Sequence, residues 1–399
     1  MMETTDADHA QCAPLPAGAN AHAALHPDVT TSGDAPPIED AALHLYQLYD
    51  LGDSIDLDRA RATLDAPSAR MRPVATRGGS IDMPQPPLVV PLDAVTVLIG
   101  GMSRPARLEA RIYDLGIVAF RLIVDLPMPL SWDRAAELLA AVLGAPRYVV
   151  DLLEPRLDTL RRTIRPAIER PDDTIRTEEY AALVIGRLGA GVPAALLRAH
   201  PALLRAALGE RRPLSDAAAA LATTLSYYED DLILLTWSGA IVIDADPEAR
   251  ADATFLLEVA NAQLLAFRAY DAQVDQGLAR MAPRLRRVSR LHWWELGSAR
   301  RYQHDIHSLI IDSVETSARV ENALKVTEDV YWNRVYAAAL AVLRVEVWRQ
   351  GTAQTLDALQ QSAALFADEA AAARTLLLEW LVILLIAVEL LVAIVGLRH

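Results

Sequence analysis

His304 and His307 stand three residues apart with Asp305 and Glu315 close by, a spacing that places two imidazoles on one helical face. Such a pair could share a metal ion. Without a third ligand the plainer reading is two histidines on a helix surface or seam. Glu229, Asp230 and Asp231 form an acidic trio at the entry to an apolar strand. It could hold a cation, although acids at a strand entry are usually solvated. Asp275 and Glu295 lack a spacing that would set up paired-acid work. Walker, HExxH and GxSxG motifs are absent, and Gly186, Gly189 and Gly191 do not follow the dinucleotide-binding pattern. One cysteine, Cys12, excludes an internal disulfide framework and a cysteine-cluster zinc site. The expectation is a protein that is not an enzyme and carries no cofactor or metal.

Charge points instead to binding. The 399 residues include 38 Lys and Arg against 52 Asp and Glu, a net charge of −14, so the bulk surface is not suited to coating nucleic acid. Local charge opposes that sign at Arg280, Arg284, Arg286, Arg287 and Arg290, next to His292-Trp293-Trp294, with Arg300 and Arg301 just behind. Arginine beside tryptophan can bind phosphates, stack on bases or lie on anionic headgroups. Arg284, Arg286, Arg287, Arg290, Arg300 and Arg301 are therefore the candidate anion-binding residues. Salt bridges to the protein's own acidic surface are the alternative.

The elements that must carry these residues follow from the pattern. Residues 1–40 lack periodicity and read as a disordered tail. The fold class is α+β: a strand-rich α/β domain over 41–280 with a helical insertion around 131–215, then a coiled-coil-like region over 281–375. Strands are expected at Leu43–Tyr49, Leu88–Ile99, Arg111–Tyr113 and Ile117–Asp125, with a loop at 65–87. Tyr49-Asp50-Leu51-Gly52 recurs as Tyr113-Asp114-Leu115-Gly116, each glycine suited to a turn. Ser131 is placed to cap a helix over Asp133–Leu143, and Tyr180–Leu208 reads as packed helices. Leu232–Trp237 and Ala240–Ile243 flank a Ser-Gly turn, a hairpin signal, and Pro247–Leu278 is a long amphipathic helix. Heptad spacing runs from Ile306 to Tyr331 and from Leu356 to Ala373, with a break at Gly351.

The stretch 376–397 holds two charges in 22 residues. At ~1.5 Å per residue it spans roughly 33 Å, against a bilayer core of ~30 Å, and predicts one C-terminal transmembrane helix. Trp380 and Glu379 then fall at the membrane edge, and Glu389 near the middle, where a lone acid is explained by protonation or a neighbouring helix. These three are the candidate membrane and assembly residues. The expected placement is single-pass, in a bacterial cytoplasmic membrane with the bulk of the chain in the cytoplasm. The lipid bilayer and further copies of the chain are the expected partners.

Tyr228-Glu229-Asp230-Asp231-Leu232-Ile233, the helix after Pro247, the heptads, and Leu378-Glu379-Trp380 followed by an apolar run to Glu389 together resemble the required-for-meiotic-nuclear-division (RMND/Sif) family over roughly 220–395. The resemblance implies a large homo-oligomer at a membrane, supporting organellar translation by tethering ribosomes or RNA, with no established catalysis. The function expected is thus a membrane-anchored oligomeric scaffold or tether. The alternatives are a metal-dependent enzyme at the membrane surface and a multimeric ion or proton pathway through Glu389.

Overall fold

The computed structural model describes residues 36–396 apart from 65–66, 72–73, 77–78, 145, 173, 289–317, 319, 321–324 and 327–328. The strands are β1 (Ile38–Asp50), β2 (Gly52–Ile55), β3 (Ala69–Arg70), β4 (Val74–Thr76), β5 (Gly79–Asp82), β6 (Leu88–Ile99), β7 (Met102–Ile112), β8 (Ile117–Asp125), β9 (Ile168–Pro171), β10 (Thr177–Leu188), β11 (Thr223–Leu225), β12 (Leu232–Leu235), β13 (Gly239–Ile243) and β14 (Lys325–Val326). The helices are α1 (Leu57–Thr63), α2 (Trp132–Leu143), α3 (Pro146–Ile164), α4 (Pro193–Ala199), α5 (Pro201–Ala207), α6 (Asp216–Ala219), α7 (Pro247–Val288), α8 (Val330–Val342) and α9 (Val345–Gly396).

Nine strands form one sheet in the order β11-β12-β13-β10-β1-β8-β7-β6-β3. Neighbours run antiparallel except β10 and β13, which run parallel. Strand side chains alternate between faces, and here the alternation feeds two cores. Leu43, Leu45 and Tyr49 of β1, with Leu183 and Ile185 of β10, pack under Leu138, Leu139, Leu153, Leu157 and Leu203 of α2, α3 and α5. Tyr46 and Leu48, with Tyr180, Ala182 and Val184, face Leu256, Leu264 and Phe267 of α7 and Val335 of α8. With the sheet on one side and α8 and α9 on the other, α7 is buried from Asp252 to Phe267.

β6 and β8 coincide with the expected strands, as does the β12–β13 hairpin, and the Ser131 hydroxyl caps α2 by accepting from Arg134 N–H. The two Tyr-Asp-Leu-Gly segments meet at one end of the sheet. Leu51 N–H donates to Gly116 O at 2.9 Å, and a Cβ on Gly116 (φ 80°) would lie 1.8 Å from Gly52 O.

Several expectations are corrected. The supposed loop 65–87 contains β3, β4 and β5. Residues 180–188, read as helix, belong to β10, a central strand whose run Tyr180–Gly186 is wholly buried and so shows no polar alternation. The helical insertion around 131–215 is therefore interrupted by part of the main sheet. Helix α9 runs through Gly351; the break falls at Arg344, which has φ 51°. Among the described residues no helix is long and apolar enough to cross a membrane. The transmembrane helix at 376–397 is therefore not supported, nor is the single-pass cytoplasmic-membrane placement built on it. That segment is the end of α9, a 52-residue helix whose first turns pack on α7 and α8. That end of the helix carries the charged residues Glu379 and Glu389.

Candidate functional site

Three places concentrate polar chemistry. The first follows from register. Tyr46 of β1 lies opposite Arg121 of β8, and Arg121 opposite Glu109 of β7, one row across three strands on the face that α7 covers. Arg111, two residues beyond Glu109, points to the same face, where α7 brings Glu258. Arg111 donates to Glu258 at 2.9 Å and to Glu109 at 2.6 Å, while Arg121 reaches Glu109 at 3.1 Å. Tyr113 OH donates to the second Glu258 oxygen at 2.6 Å. His44 Nδ1 lies 3.3 Å from Arg121 and 3.4 Å from Tyr46 OH. Burial lowers the His44 pKa, and the positive charge of Arg121 lowers it further, so the imidazole stays neutral. Burial, then the Glu258 charge, raises the Tyr113 phenol, which keeps it a donor. The carboxylates and guanidiniums balance one another. The arrangement is suited to fixing α7 on the sheet.

The second place is the end of the sheet where β12 begins and β13 finishes. Asp231 is buried and accepts from Tyr227 N–H at 2.8 Å and Tyr228 N–H at 3.1 Å. Asp329 caps α8 through Tyr331 N–H and Trp332 N–H. Tyr227 stacks edge-on against Tyr228 and Tyr331, with ring centroids 4.7 and 5.2 Å apart. Of the expected acidic trio, Asp231 thus has a structural task, while Glu229 and Asp230 are exposed. Among the described residues no group of three or more His, Cys, Asp or Glu could hold a metal.

Asp252, in the first turns of α7, is 4% exposed, and the charges bearing on it are the like charges of Glu248, Asp246 and Asp329. Burial, then that repulsion, pushes its pKa up to about 7. Because the folded value exceeds the unfolded one, Asp252 favours the folded state fully below about pH 4. That contribution is lost as pH rises to about 7. The loss is roughly 3–4 kcal/mol. Asp252→Asn is therefore expected to raise unfolding stability by a similar amount at pH 8 and by less than half of it at pH 5, measured by denaturant titration. An equal gain at both pH values would show that ionisation of Asp252 is not what limits stability.

The third place is a cavity of about 180 Å³ on the α2–α3 face of the sheet. β13 joins β10 only from Ala181 onward, opposite Gly239, so Thr177–Tyr180 meet the Thr236–Ser238 turn in place of a strand. Tyr180 OH donates to Thr236 O at 3.1 Å, and Thr236 Oγ1 to Ala207 O at 2.6 Å, which holds the turn in place. The gap beside β10 opens into the cavity, with Gln47, Glu179, Trp237, Val142, Leu143 and Val149 among its walls.

The residues expected from sequence fare differently. Leu378, Trp380, Leu381, Val382, Ile383, Leu384, Leu385, Ile386, Val388 and Leu390 are all between 47% and 70% exposed on α9, and Glu379 and Glu389 are exposed among them. Arg284, Arg286 and Arg287 lie on the last turns of α7. Arg290, Arg300, Arg301, His304, His307 and the heptad from Ile306 lie outside the described residues, apart from its positions Val320 and Tyr331. Arg111, Glu109 and Glu258 escaped sequence reasoning because 147 positions separate the first from the last. The one signal was Glu258 inside an apolar run of α7, since Glu109 and Arg111 continue an alternation that includes Arg107 in β7.

Residues 40–249 match the family described as uncharacterized protein MJ0711, N-terminal domain, and the chain belongs to that family. The match runs from within β1 to the first turn of α7 and so takes in the nine-stranded sheet and the cavity. The uncharacterized protein MJ0711 of Methanocaldococcus jannaschii is 21% identical over 175 residues, covering 43% of this chain and 52% of the relative. The aligned part thus spans about half the length of that relative. No solved structure matches. These findings replace the RMND/Sif resemblance, which rested on 220–395, mostly beyond the matched segment.

Proposed function

We propose that this member of the MJ0711 N-terminal-domain family is a non-catalytic scaffold that assembles from several copies of itself through the C-terminal half of α9. The observation that carries this reading is the exposed apolar surface from Leu378 to Leu390. At ~3.6 residues per turn, consecutive apolar side chains point to every side of the helix, and a helix apolar all round is ordinarily buried. Contiguous exposed apolar surface marks an interaction site. A second copy fits because the same helix carries the heptad Leu356, Leu359, Ala363, Phe366, Ala370 and Ala373 directly before the stretch. One partner helix would cover one stripe, so more than two copies are needed to cover the whole circumference.

Light scattering of the purified full chain, wild type beside a Leu384→Glu, Val388→Glu variant, tests this. The expected result is a defined oligomer of more than two copies for wild type and a smaller species for the variant, with unchanged helix content by circular dichroism. A monomeric wild type, or equal masses for the two proteins, would overturn the reading.

A further inference from the structure

The cavity beside β10 is built from opposed chemistries. Val142 and Leu143 at the end of α2 and Val149 in α3 give it aliphatic walls, and the Trp237 ring, 46% exposed on the turn, adds an aromatic one. Glu179 sets a carboxylate among them. Its neighbour Glu178 points to the other face of the sheet and is paired with Arg268 of α7, whose guanidinium lies 6.0 Å from the Trp348 ring centre. Glu179 has no ion pair or hydrogen bond among the described residues, and burial alone raises its pKa. One of two adjacent carboxylates is thus paired within the fold, and the other is exposed at the edge of the cavity.

We propose that this cavity binds a small primary amine with an apolar body, its ammonium on Glu179 and its body between Trp237 and the Val142–Leu143–Val149 wall. The charge of Glu179 excludes an anion. A neutral apolar molecule would desolvate the carboxylate without offering it a hydrogen bond. An ammonium offers the exposed carboxylate a charge-assisted bond in place of water and gains further from an aromatic face. A volume of about 180 Å³ lies below the ~300 Å³ at which drug-sized ligands begin. The ligand is therefore of the size of one ring with a short amine arm. This inference stands apart from self-assembly, since the cavity lies within the sheet domain and α9 does not line it.

Calorimetric titration of the full chain with 2-phenylethylamine tests it, with phenylacetate as the probe of similar shape and opposite charge. The expected result is saturable one-to-one binding of the amine and none of the acid. Glu179→Gln and Trp237→Ala should each weaken the amine about tenfold or more, with melting temperatures close to wild type because both side chains are partly exposed. Lack of saturable amine binding to wild type, comparable phenylacetate binding, or unchanged affinity in Glu179→Gln would each overturn the proposal.

Discussion

Glu258→Ala is expected to cost about 3–5 kcal/mol of unfolding stability, read by denaturant titration at neutral pH. The Glu258 side chain is fully buried, and it accepts from both Arg111 and Tyr113. Removing it leaves the Arg111 guanidinium, 7% exposed, with Glu109 as its carboxylate partner and leaves the Tyr113 hydroxyl without its acceptor. Replacing both charged partners, as Arg111→Met with Glu258→Leu, should recover the part of the loss that comes from the buried charge, while the Tyr113 hydroxyl still lacks its acceptor. If the double variant is as unstable as the single one, the network contributes shape at this site and not charge balance.

Gly116→Ala is expected to lose about 3 kcal/mol or more, for a different reason. The backbone there sits at φ 80°, a conformation costly to any side chain, and the added methyl would lie 1.8 Å from Gly52 O. That oxygen belongs to the backbone, so a rotamer change cannot relieve the overlap. Gly101→Ala is the control. It also has a positive φ (79°), but nothing lies within 4 Å of its Cβ position, so it measures the conformational cost alone. Equal losses at the two positions would show that contact between the Tyr-Asp-Leu-Gly turns does not matter.

Those turns were legible in the sequence as a repeated tetrapeptide, and β6, β8 and the β12–β13 hairpin as apolar runs bounded by turn residues. β10 was not. Its Thr-Glu-Glu-Tyr-Ala-Ala-Leu-Val-Ile contains good helix formers, and burial on both faces removes the alternation that would mark a strand. Gly351 looked like a helix stop, yet nothing lies within 4 Å of its Cβ position and α9 passes straight through it. The break at Arg344 carries no glycine or proline signal. The apolar end of α9 was visible, but composition alone could not distinguish a bilayer span from an exposed surface on a longer helix. The ion network and the cavity are products of register. Glu109, Arg121 and Tyr46 align only after three strands pair, and the gap beside Glu179 exists because β13 begins opposite Ala181.

The order in which the sheet is filled bears on how the chain is made. β1 is the first of the described strands to be synthesised and ends up in the interior of the sheet, between β8 and β10, whose residues are 117–125 and 177–188. At ~5–20 residues per second, roughly 7–28 s pass between the emergence of β1 and that of its last neighbour. Throughout that interval a long apolar strand has at least one open edge, the form of chain most prone to pairing with a stranger. Translation speed over the first 190 residues, and holding factors at the ribosome exit, should therefore govern the yield of folded protein more than conditions after release.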